Sequence, residues 1–82
     1  MSDTTIEKSL LDLAEKRGTD ATFCPSEVAR ALFPEDWREH MDAVRSVADE
    51  LVQDQKLALY QKGERLTILP TQARGPIRLR SF

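Results

Sequence analysis

Apolar positions recur with a helical period through the first 54 residues and with a strand period after them, so the chain divides at about Asp54. Ile6, Leu10, Leu13 and Ala14 fall on one helical face. Thr4 and Glu7 have the spacing of a capping box, in which each side chain satisfies an open backbone N–H. Lys16-Arg17-Gly18 supplies a cationic last turn and a glycine that can take a left-handed conformation beyond it. A first helix is predicted over 5–17. Thr19 to Thr22 read as turn and linker, and Thr22-Phe23 could form a short strand.

Cys24-Pro25-Ser26-Glu27 announces a second helix, since proline at the first helical position lacks only an N–H that would be unpaired anyway. Val28, Ala29, Leu32 and Phe33 form its apolar stripe, and Pro34 stops it, giving 25–33. After the turn Pro34-Glu35-Asp36, Trp37, Met41, Val44, Ala48, Leu51 and Val52 hold one face for more than four turns. Asp36 and Glu39 have capping-box spacing, so a third helix is predicted over 37–54. Val44, Ala48 and Leu51 are expected to pack against Leu10, Leu13, Val28 and Leu32. Two helices joined by so short a turn read as a helix-turn-helix.

Beyond Asp54 the period becomes two. Lys56 to Gln61 is a predicted strand with Leu57 and Leu59 inward and Tyr60 on the opposite, exposed face. Leu66 to Leu69 is its predicted partner, joined by a loop in which Gly63 supplies a positive φ and a bulge. The hairpin would span 56–69 and end at Pro70. A last strand over 75–80 would place Ile77 and Leu79 on one face and Arg78 and Arg80 on the other. It is expected to pair within its own sheet and leave a monomer, because edge arginines discourage self-association. The order predicts one α+β domain over 1–82, a winged helix with three helices and a small antiparallel hairpin wing. In such a fold the third helix enters the major groove when DNA is read.

With 40% hydrophobic and 32% charged residues, the composition is that of a small soluble globule rather than a disordered or membrane chain. No apolar run approaches the ~20 residues that span a bilayer, and the polar, acidic N-terminus is not expected to be a signal peptide. A single cysteine excludes an internal disulfide and suits the cytoplasm, the expected location. Charge is divided: the first 54 residues hold 13 acids and six bases, the last 28 one acid and six bases. An overall charge of −2 thus combines a body at −7 with a tail at +5.

Cys24-Pro25-Ser26-Glu27-Val28-Ala29-Arg30-Ala31-Leu32, Trp37-Arg38, Met41, Val44-Arg45, Gln61-Lys62-Gly63 and Gly75-Pro76-Ile77-Arg78-Leu79-Arg80 together resemble the small bacterial family called domain of unknown function 3253. The similarity runs from about Ile6 to Arg80. It implies a winged-helix fold and brings no settled activity or catalytic residues. Some relatives carry a cysteine-rich, zinc-binding segment. This sequence, with Cys24 alone, is expected to lack that segment and its metal function.

The expected partner is a DNA or RNA backbone, contacted by Lys56, Lys62, Arg65, Arg74, Arg78 and Arg80, which have almost no local acids to pair with. The alternative for these cations is docking onto the protein's own acidic helices. In the third helix, Arg38 and Arg45 are the candidate base readers, but Asp36 to Asp54 carries a net −4. Arg38, Asp42, Arg45 and Asp49 have the spacing of an ion-pair ladder, which is the favoured reading. Trp37 is expected in the core or a junction, and His40 and Cys24 in structural positions. No catalytic constellation, phosphate loop, cofactor site or metal site is evident, so the chain is not expected to be an enzyme. A protein-interaction module, docking a partner chain by the acidic third helix or the basic strand edge, is the alternative function.

Overall fold

The computed structural model describes residues 2–81. Helix α1 (Ser2–Arg17) begins ahead of the expected start, so Thr4 lies within the helix and does not cap it. An exposed helix start leaves its first N–H groups to water whichever residue opens it, so polar residues extend it easily. Its other end is as expected, with Gly18 at φ +76° and its N–H bonded to Ala14 O at 2.9 Å. Phe23 then exchanges two backbone hydrogen bonds with Leu79, at 2.8 and 2.7 Å.

Helix α2 (Pro25–Leu32) starts at its proline, and the Cys24 N–H donates to Glu27 Oε2 at 2.9 Å. The predicted third helix is divided into a 3-10 turn (Trp37–His40) and α3 (Met41–Gln53). Asp36 caps neither with its side chain. Its Oδ2 pairs with His40 Nε2 at 3.1 Å, while the His40 ring stacks on Phe33 at 3.7 Å between centroids. Trp37 is half-buried against the core. Helix α3 ends in a Schellman motif. Lys56 N–H bonds Leu51 O at 2.8 Å, Gln55 N–H bonds Val52 O at 3.1 Å, and Gln55 takes a left-handed φ of 60°.

Strands β1 (Leu57–Gln61), β2 (Glu64–Leu66) and β3 (Arg78–Ser81) form an antiparallel sheet in the order β2-β1-β3. The hairpin differs from expectation. Lys62 and Gly63 both have positive φ, 52° and 82°, which makes a two-residue turn without a bulge and pairs Gln61 with Glu64. Strand β2 therefore lies mostly before the Leu66-to-Leu69 run and shares only Leu66 with it. Beyond Leu66 the chain leaves the sheet, with Ile68 exposed, and Pro70 is buried in a second 3-10 turn (Pro70–Gln72). A proline there has no ladder N–H to offer. Strand β3 is shorter than the predicted 75–80 segment, though Ile77 and Leu79 are buried as expected.

The architecture is α+β, and its element order is consistent with the expected winged helix. The core gathers Ile6, Leu10, Val28, Val44, Ala48 and Leu51 with Phe23 and the inner sheet residues Leu57, Leu59 and Leu79. Leu13 and Leu32 are only half-buried at its margin, and Val47, absent from the expected set, is buried within it.

Candidate nucleic-acid interface

Part of the polar face of α3 is covered. Between β2 and β3 an irregular connection crosses this helix, and its backbone polar groups need partners. Asp49 accepts from the backbone N–H of Thr71 at 2.9 Å and from its hydroxyl. Arg45 donates to Ala73 O at 3.4 Å and Gly75 O at 2.9 Å. The expected ladder of Arg38, Asp42, Arg45 and Asp49 is not formed, because Arg45 and Asp49 are drawn to partners 22 to 30 residues away. Arg38 lies over the Trp37 ring at 5.1 Å, and Arg30 approaches the same ring at 4.3 Å. The face of α3 left exposed includes Asp42, Ser46 and Glu50, so it offers phosphates repulsion.

The outer face of the sheet has the opposite character. Cross-strand register places Arg65 and Arg78 on either side of Tyr60, and Arg80 opposite Ala58. The Arg80 guanidinium lies over the Tyr60 ring at 4.7 Å, so Tyr60 is half-buried rather than the open aromatic expected. A cation held over a ring keeps its charge while losing part of its rotamer freedom. Arg78 is fixed differently, with Nε donating to Thr22 Oγ1 at 3.1 Å and Nη2 to Thr22 O at 3.0 Å. These contacts orient the two arginines without neutralising them.

Glu27 feels this charge. Burial alone would raise its pKa, but the Cys24 N–H, the hydrogen bond and charge of Arg17, and the charge of Arg78 together hold it below the usual carboxylate value. Arg17, which pairs with Glu27, belongs to the acidic body itself, and Arg78 reaches Glu27 only through its field.

At the hairpin tip, Lys62, Arg74 and Arg78 line one cleft with Gln61, Gly75 and Pro76. Gln61 Nε2 donates to the carbonyls of Arg74 and, at 3.1 Å, of Pro76. Lys56 stands apart, six residues from Lys62 along the β1 direction, roughly 20 Å at strand rise. The structure therefore brings five of the six expected cations to the sheet face and hairpin tip and leaves Lys56 at the far end. Sequence reasoning missed Thr22, Glu27 and Gln61, which position or modulate these cations. Gln61, beside the Lys-Gly turn, and Glu27, three residues beyond Cys24 at a helix start, had local signals.

The family model described as protein of unknown function (DUF3253) matches residues 3–81. The chain belongs to this family. No curated protein matches it. Membership of DUF3253 carries no activity with it. Among the described residues no helix is long and apolar enough to cross a membrane, and no group of His, Cys, Asp and Glu is placed to hold a metal ion.

Proposed function

We propose that the protein is a non-catalytic winged-helix module that binds nucleic acid through backbone phosphates. It uses the outer face of the sheet and the hairpin tip as its wing. One observation carries the reading: the outer positions Ala58, Tyr60, Arg65, Arg78 and Arg80 include three arginines and no acid. Two of these arginines are oriented by Thr22 and Tyr60. Phosphate contacts give affinity and register but little sequence information, so binding to different sequences should be similar. The acids of α3 argue against base reading by that helix and favour a second reading, a surface for a basic partner chain.

Amide shifts on titration with a nonspecific duplex at low salt separate the two readings. The nucleic-acid reading expects shifts at residues 62–65 and 74–80. Silence of the whole protein toward duplex and single strand refutes it and leaves the protein-interaction reading.

A further inference from the structure

The cleft at the hairpin tip has a volume of about 380 Å³, within the range that accommodates a small ligand group. Its lining holds three cations and no acid. One wall includes loop residues 74–76, and the four successive carbonyls of 73–76 all accept hydrogen bonds: Arg45 donates to those of Ala73 and Gly75, and Gln61 to those of Arg74 and Pro76. Carbonyl oxygens repel an anion, and the hydrogen bonds to all four partly offset that repulsion and fix the wall. Gly75, at φ +81°, puts no side chain beside the opening. Arg78 belongs both to this cleft and to the outer sheet face, so a strand lying along the sheet would bring its end here.

We infer that the cleft takes the terminal phosphate monoester of a nucleic-acid strand, an assignment that rests on the nucleic-acid reading of the sheet face. A phosphodiester carries one negative charge, whereas a monoester carries about −1.5 to −2 at pH 7. Three cationic residues lining the cleft without an acid match the second better than the first. Lys62 and Arg74 supply the variable contacts, and Arg78, anchored at Thr22, supplies a fixed field.

The test compares one short single strand bearing a phosphate at its 5′ end, at its 3′ end, or at neither, by fluorescence anisotropy. A phosphate at the recognised end should tighten binding about tenfold, the equivalent of one charge-assisted hydrogen bond. The advantage should shrink at about pH 5.5, where the monoester dianion takes up one proton and becomes a monoanion. Arg74→Ala should bring the ratio toward one while changing the unphosphorylated strand less. Equal binding of all three strands overturns the end site and leaves the nucleic-acid reading standing. If no strand binds but thymidine 5′-monophosphate, and not thymidine, shifts the Lys62 and Gly75 amides, the cleft is a site for free phosphate esters. In that outcome both the strand-end assignment and the nucleic-acid reading fail, as they do if nothing binds.

Discussion

Arg45 of α3 donates through Nη2 to the carbonyl of Gly75 at 2.9 Å, and so ties the helix to the loop that precedes β3. A side chain used in this way is not available to read bases. Arg45→Ala should lower stability by about 0.5–1.5 kcal/mol, measured by denaturant unfolding, and leave any preference among duplex sequences unchanged. Loss of preference for one sequence would instead make Arg45 a base reader.

Gln55 closes α3 in a conformation that glycine adopts at no steric cost. Gln55→Gly should raise stability by about 0.5–1 kcal/mol, the relief of left-handed strain exceeding the added freedom of the unfolded chain. An unchanged or lower unfolding midpoint would show that the Gln55 side chain offsets that strain.

The depressed pKa of Glu27 makes stability depend on pH. Because the folded value lies below the unfolded one, its contribution is full above the usual carboxylate range and is lost as pH falls through the folded value. The Arg17–Glu27 pair is 38% and 34% exposed, so solvent screens it and the effect should be under about 1 kcal/mol. Thermal unfolding of wild type and Glu27→Gln should therefore differ near neutrality and converge in acid. A constant difference at all pH values would assign Glu27 a purely steric role.

The helices were legible because long apolar stripes, Pro25 and Gly18 all point to the same elements. Leu66 to Leu69 misled because its residues suit a strand, while two positive φ angles at Lys62 and Gly63 set the register earlier. Asp36 and Glu39 have capping spacing, yet the Asp36 carboxylate is drawn to His40, and a 3-10 turn intervenes before α3. The cationic character of the last 28 residues was plain from composition, and alternation correctly put Arg78 and Arg80 on one face. The partners of Arg45, Asp49 and Arg78 lie 22 to 56 residues away, and no local pattern encodes such pairings.

The salt dependence of duplex binding tests the phosphate-contact account most directly. If the sheet face and hairpin tip meet about four phosphates, the logarithm of the binding constant should fall against log salt with a slope near −3.6. Lys62→Ala with Arg74→Ala, both exposed positions, should move the slope to about −1.8 and weaken all sequences alike. A slope near zero, or one unmoved by the double substitution, would contradict the assignment of these cations to phosphates.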